Sequence, residues 1–353
     1  MRSSAKRNYV FLLIFTFLLT HASASIYITP FEYLTKQYPK IYEGIKAHSL
    51  ASKFWKTIKS IFNNDQKVGD TIKGLSYVKE NLQILGYFNN TVINIDDTVT
   101  SDFQTVLKEY QKNFNLKVTG QLDDKTYKKL SSSRCFVPDI INGTNTMQET
   151  TTSFKPWWSA EKKELTYAFN PENNVTNEVK SLVKSVFENW SITTLKFKEA
   201  KSFNDSDINI VFVTIDGKGG FVGGADSNYS SHIGTIYLDS DEQWMLPSDK
   251  FNEDGDEDLE SVVMHQVGHV LGLEHSSVKE AIMYPIVLQE KKIELVNDDD
   301  LQKISEIYNV KVNNGSSSSS QSNNGGDVAC CGWRGHIIYG LVSGFIFVVL
   351  GII

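Results

Sequence analysis

Cysteine is scarce in this chain. Three occur in 353 residues, and two of them, Cys330 and Cys331, lie in the last stretch. Cys135 stands alone in the body of the chain, and a lone cysteine cannot close an internal disulfide, so it asks for another explanation. Basic clusters are also missing beyond the extreme N-terminus, and the net charge is -7, which argues against a nucleic-acid partner. Long apolar runs are confined to the two ends. The chain as a whole is 41% hydrophobic and 22% charged, the composition of a globular protein with one good core and a smaller domain.

The ends read as addresses. Arg2, Lys6 and Arg7 precede the apolar run from Val10 to Leu19, and Ala22-Ser23-Ala24 supplies a small-residue cleavage site. That order predicts a signal peptide over residues 1–24 and entry into the secretory pathway. Asn-x-Ser/Thr acceptors at Asn89, Asn142, Asn174, Asn189, Asn204, Asn228 and Asn314 agree with secretion. Residues 313–326 form a Ser/Asn/Gly-rich stalk, and residues 327–353 end in the apolar tail from His336 to Ile353. Small residues Asn324, Gly325 and Gly326, a spacer and then a terminal apolar tail follow the order of a glycolipid-anchor signal, whose tail is removed. The other reading is a terminal transmembrane helix with Cys330 and Cys331 as acylation sites. Either way the expected location is the cell surface, with the membrane reached through an anchor.

Two folded segments lie between. From about 54 to 130 the chain reads as short helices: Phe103, Val106, Leu107, Tyr110 and Phe114 recur at helical spacing, and Leu122, Tyr127 and Leu130 mark a last short one. From 151 to 312 the pattern is mixed. Leu165, Tyr167 and Phe169 alternate as a strand, and Val179, Leu182, Val183, Val186, Phe187 and Trp190 line one helix face. Leu195 and Phe197, then Ile208, Ile210 and Phe212, then Ile236 and Leu238 read as further strands. Asp258 can cap a helix that Gly272 can end, and Leu301, Ile304, Ile307 and Tyr308 mark a final helix. The predicted fold class is α+β, with a small all-α domain in front.

The chemistry is concentrated in His265-Gln266-Val267-Gly268-His269-Val270-Leu271-Gly272-Leu273-Glu274-His275. His265 and His269 at i and i+4 project from one helix face toward a single ion. Gly272 permits the left-handed turn that returns His275 as a third ligand. Three imidazoles and one open position are a catalytic-type zinc site.

Followed by Ala281-Ile282-Met283-Tyr284-Pro285, this motif resembles that of the matrixins, the matrix-metalloproteinase branch of the metzincins, in its plant type. The likeness runs from about Gly74 to Tyr308. It implies a matrixin domain of twisted sheet plus helices, preceded by a peptidoglycan-binding-like prodomain around Gly120-Gln121-Leu122-Asp123. Residues 25–150 would then be a propeptide that inhibits its own enzyme, and Met283 the Met-turn under the metal. Arg134-Cys135-Phe136-Val137-Pro138-Asp139 resembles the cysteine switch, in which Cys135 fills the open zinc position and Arg134 pairs with Asp139. Ser133 replaces the family's usual Pro and Phe136 its Gly; a bulky ring at 136 is expected to hold the propeptide backbone off the cleft. No hemopexin-like repeats follow. The implied substrate is extracellular protein or peptide.

Two sites depart from that family's chemistry. Gln266 stands where the family has the glutamate that takes a proton from the attacking water. An amide has no basic lone pair near neutral pH. A positioned general base contributes roughly 10²–10⁴ in rate, or about 2.7–5.4 kcal/mol. The expectation is therefore a strongly impaired zinc metalloendopeptidase; the alternative is a pseudopeptidase that binds peptides and cleaves none. Glu274, the nearest substitute carboxylate, is expected to face solvent. The family's second, structural zinc is expected to be absent, because its aligned positions read Thr214, Asp216, Asp226 and Tyr237, with His232 out of register. Asp239 and Glu242 match the family's calcium ligands, and carboxylate oxygens suit that ion. The acidic run Glu253 to Asp258 reads as a solvated loop.

Overall fold

A computed structural model describes residues 65–88, 94–141, 143–147, 158, 162–191, 195–228, 233–249, 256–287 and 298–308. The leader, the stalk and the terminal tail lie outside these residues, as do Asn89, Asn142, Asn314 and His232.

The N-terminal part is built from α1 (Leu75–Ile84), α2 (Ser101–Asn113) and α3 (Asp124–Leu130). The Thr100 and Asp123 side chains cap α2 and α3 by accepting from the backbone N–H three residues on, which supplies a partner that the first turn otherwise lacks. Phe103, Leu107, Tyr110 and Leu82 are fully buried between the helices, as their spacing predicts. The buried Gln111 amide bonds Thr119, Gln121 and Thr126, and so pins the turn before α3.

Next come short strands β1 (Arg134–Cys135), β2 (Ile140–Ile141) and β3 (Thr144–Asn145). The second part then runs β4 (Glu164–Phe169), α4 (Asn177–Trp190), β5 (Lys196–Glu199), β6 (Ile208–Val213), β7 (Phe221–Asn228) and β8 (Ile233–Asp239). It ends with β9 (Trp244–Met245), β10 (Glu257–Asp258), α5 (Leu259–Val270) and α6 (Asp298–Tyr308). The main sheet has the order β1-β7-β8-β6-β4-β5; β7 is antiparallel to β8, and the other neighbours are parallel. Helices and a mixed sheet give the α+β arrangement expected.

β7 is the element that the sequence hides. It crosses the glycine-crowded stretch, where the absence of side chains erases the period-two pattern. The acidic run is a second correction: Asp256 and Glu257 are buried, and β10 pairs with β9.

Helix α5 packs on β7 and on α4, and it is buried along almost its whole length. Asp258 accepts from Glu260 N at its start, and Gly272 adopts φ 96° just past its end. Trp190 at the end of α4 donates its indole N–H to Met264 O, tying the two helices together. Below them, Asp300 on α6 accepts from the backbone N–H groups of Ile282 and Met283 at 2.6 and 3.2 Å. That contact fixes the turn carrying Met283, which is fully buried.

Candidate metal centre

Residues 134–136 lie in a groove between β7 and residues 285–287. Arg134 N donates to Gly220 O and Phe136 N to Gly223 O on one side. Cys135 N donates to Pro285 O on the other, and Val287 N donates to Ser133 O. A strand so bound leaves neither ladder edge exposed. Ser133, in place of proline, adds a side-chain bond to the buried Glu257 carboxylate.

Phe136 does not hold this segment away. Its ring is buried, 6.2 Å from the Tyr237 ring, and lies over Gly224, where any Cβ would overlap it. The space that the family's glycine leaves at 136 is supplied here by a glycine on the opposite strand. Behind the groove, Phe114, just past the end of α2, meets Tyr284 edge-on at 5.9 Å, and Lys129 of α3 bonds the Tyr284 hydroxyl.

The groove brings Cys135 onto the histidines. One ligand atom from each of Cys135, His265, His269 and His275 lies within 4.8 Å of the others, and all four residues are buried. His265 Nδ1 faces Ile282 O at 2.7 Å, and His269 Nδ1 faces Leu273 O at 2.8 Å. A carbonyl only accepts, so each Nδ1 carries the proton and each Nε2 presents a lone pair. Yet the two Nε2 atoms are 3.1 Å apart. His275 Nδ1 donates to Asp139 Oδ1 at 2.8 Å, and its Nε2 is buried with no hydrogen-bond partner among the described residues. Three lone pairs turned on one point, with a thiol 3.6 Å from His269 Nε2, fit a cation and have little other use.

Electrostatics agree. Burial, then the neighbouring His275, brings His265 down to about 3; burial also depresses His269 and His275. All three are therefore neutral ligands at neutral pH. Burial pushes the Cys135 thiol up to about 12, a cost that a divalent cation beside the sulfur reverses. Burial also opposes the Asp139 charge, but Arg134, at 2.7 Å, and the His275 bond outweigh it and hold the carboxyl at about 2.

Gln266 is 1% exposed, and its Oε1 accepts from the Cys135 thiol at 3.6 Å. The amide therefore borders the fourth position of the cluster. Beside it, Val222, Val262, Ile282, Tyr284, Ile286 and Val287 line a small apolar cavity that reaches His265. Glu274 is half-buried rather than solvent-facing, a correction to the expectation. It follows the Gly272 turn and shares no hydrogen bond with Gln266 or Cys135 among those described.

Asp239 and Glu242 belong to a different place, the loop around Gly217–Gly219. Asp239 Oδ2 accepts from Asp216 N and Gly217 N, and Glu242 Oε1 accepts from Gly219 N at 2.7 Å. Burial, then Glu257, pushes Glu242 up to about 8, and its Oε2 has no hydrogen-bond partner among the described residues. Asp216 accepts from Phe221 N, Thr214 bonds Ser240, Tyr237 packs on Phe136, and Asp226 lies opposite Thr235 in the β7–β8 ladder. Asn174 and Asn204 are exposed, Asn189 is half-buried, and Asn228 ends β7.

Sequence reasoning missed the contact from Asp139 to His275, the Glu257 anchor and the Asp300 support under Met283. Each joins residues distant in the chain, and no local pattern announces them.

Comparison with known proteins agrees with the geometry. Residues 157–309 match the Matrixin family, and residues 73–130 match the peptidoglycan binding domain family. Metalloendoproteinase 5-MMP of Arabidopsis thaliana is 36% identical over 296 residues, covering 77% of this chain and 82% of that protein. Metalloendoproteinase 1 of Glycine max is 38% identical over 261 residues, covering 69% and 84%. Matrix metalloproteinase-16 of Homo sapiens is 32% identical over 231 residues, covering 58% of this chain and 36% of its own.

Proposed function

Because the chain belongs to the matrixin family, we propose that it is a secreted, surface-anchored zinc metalloendopeptidase-like protein whose peptide cleavage is strongly impaired by Gln266. The observation that carries this reading is the site itself: three imidazole lone pairs converge, and the side chain bordering the open position is an amide. His265, His269 and His275 would hold the zinc, with Cys135 as fourth ligand while the propeptide is in place. Zinc held there supplies a Lewis acid that polarises a carbonyl and acidifies a water.

The remaining steps belong to the chain's own groups. The carbonyls of Gly220, Gly223 and Pro285 and the N–H of Val287 bind an extended backbone, as they now bind residues 133–136. The apolar cavity beside His265 would take an apolar side chain of a substrate, an extracellular protein or peptide. Gln266 can orient water but cannot accept its proton. The same groove would bind a peptide whether or not it cleaves, which is what favours the second reading, a zinc-dependent peptide-binding pseudopeptidase. The test of both is peptide hydrolysis and peptide retention by the chain with and without Gln266→Glu.

Domain limits follow the same proposal: a leader over 1–24, a propeptide over 25–150 and the zinc domain over 151–312. A stalk over 313–326 and a removed anchor signal over 327–353 complete the chain. Among the described residues no helix is long and apolar enough to cross a membrane. Phosphatidylinositol-specific lipase is expected to release the protein from cells. Retention after the enzyme, with a membrane-bound peptide containing Phe345 to Leu350, would replace the lipid anchor by a transmembrane tail.

Asp239 and Glu242 are proposed to hold calcium, with Glu242 Oε2 as the free oxygen. Glu242 has a folded pKa raised to about 8 from 4.5, so its contribution to stability is complete below the unfolded value and is lost as pH rises through about 8. Calcium offsets that loss only where the carboxylate can ionise. Its effect on Tm is therefore expected to be larger at about pH 8.5 than at about pH 5. Equal shifts at both values, or none, would count against the site.

A further inference from the structure

Asp139 does more than pair with Arg134. It is completely buried, and its oxygens collect three donors from separate parts of the chain: Arg134 Nη2 at 2.7 Å, His275 Nδ1 at 2.8 Å and the Tyr87 hydroxyl at 3.0 Å. Its backbone is equally fixed. Asp139 N donates to Leu85 O, and Asp139 O accepts from Thr146 N and Thr146 Oγ1. Asn113 Nδ2 in turn donates to Tyr87 Oη at 2.8 Å. A continuous hydrogen-bonded path therefore runs from α2 through Tyr87 and Asp139 to a histidine of the metal cluster.

The three histidines differ in what orients them. His265 and His269 lean on carbonyls of their own domain, Ile282 O and Leu273 O. Those partners stay whatever happens to the N-terminal segment. The Nδ1 partner of His275 among the described residues is Asp139, 136 positions upstream, within the segment proposed as propeptide. A carboxylate on the far nitrogen of a ligating imidazole fixes its tautomer and raises its basicity, and losing such a partner typically costs about 10–100-fold in metal affinity.

We propose that Asp139 is a positioning residue for the metal centre, a carboxylate lent by the propeptide to His275, so that the chain holds zinc more tightly before this segment is removed than after. The inference rests on the zinc reading of the site. It separates two jobs of one segment: Cys135 closes the open position, and Asp139 tightens a ligand that remains after processing.

The experiment uses the full chain loaded with zinc and follows metal transfer to a chromogenic chelator. Alkylation of Cys135 is measured in parallel to report whether the groove is still filled. Asp139→Asn is expected to release zinc about 10–100 times more readily while Cys135 stays protected. Arg134→Gln weakens the hold on Asp139 but leaves its oxygen facing His275 Nδ1, and is expected to raise zinc release less than Asp139→Asn does. The downfield Nδ1–H resonance of His275 should persist in Arg134→Gln and be lost or shifted in Asp139→Asn. Equal zinc release from both variants would overturn the proposal, as would release from Asp139→Asn that tracks exposure of Cys135. In either case Asp139 would act only through the docking of the segment. Unchanged release from Asp139→Asn also overturns it. Should Asp139→Asn fail to fold, Tyr87→Phe keeps the charge and frees Oδ2; a several-fold rise in release supports the proposal, and none refutes it. A natural chain that binds no zinc would instead bring down the zinc reading itself.

Discussion

Peptide hydrolysis is expected to rise by about two to four orders of magnitude when Gln266 is replaced by glutamate. The exchange is close to isosteric, and position 266 is buried with its side chain already turned to the fourth position of the cluster. Nothing needs to repack; what changes is that an oxygen able to accept a proton appears beside the metal. The cost of burying the new carboxylate is met by the cation next to it. The assay needs an open groove, because residues 133–136 occupy both of its walls. It should therefore use chain processed beyond Asp139, with the natural Gln266 form processed in the same way. Equal, zinc-dependent turnover in both forms would mean that another group serves as base; half-buried Glu274 is then the first to examine. If neither form cleaves but both retain peptides when zinc is present, the protein is a binding module on a protease fold.

One equivalent of zinc is expected after dialysis, and His269→Ala is expected to bind it about 10²–10³ times more weakly. A zinc held by protein ligands is worth roughly 10–16 kcal/mol, so losing one ligand of four forfeits about 2.5–4 kcal/mol, a factor of about 10²–10³ in affinity. The loss should be cleaner here than at an exposed site. His269 is buried and its Nδ1 is committed to Leu273 O. Metal analysis of the two proteins gives the answer directly. Two equivalents in the natural chain would show that the loop around Thr214, Asp216, Asp226 and Tyr237 has found ligands of its own. Zinc held as tightly by His269→Ala as by the natural chain would mean that the metal does not sit where the three lone pairs meet.

Much of this protein is legible in the sequence because its signals are local. The i, i+4 pair His265 and His269, the helix cap Asp258 and the left-handed turn at Gly272 need only a few neighbouring residues to act. The same is true of α2 and α4, whose apolar stripes fall at helical spacing, and of β4 and β6, whose apolar residues alternate. The choice of Gln over Glu at 266 is likewise written in one letter, and its chemical meaning follows from the amide itself.

The tertiary structure decided what depends on residues meeting across distance. A ring at 136 reads as an obstacle until Gly224 is seen beneath it on β7. The acidic run Glu253 to Asp258 reads as solvated, because charge usually is, yet within its described part Glu257 is buried as the acceptor for Ser133. β7 itself carries too few side chains to show a period, and it becomes a strand because β8 and β1 satisfy its two edges. Asp139 could be assigned to Arg134, five residues away, from the motif alone. That it also holds His275, across 136 residues, was settled only by folding. A buried carboxylate needs every donor it can reach, and which donors are in reach is a property of the packed chain.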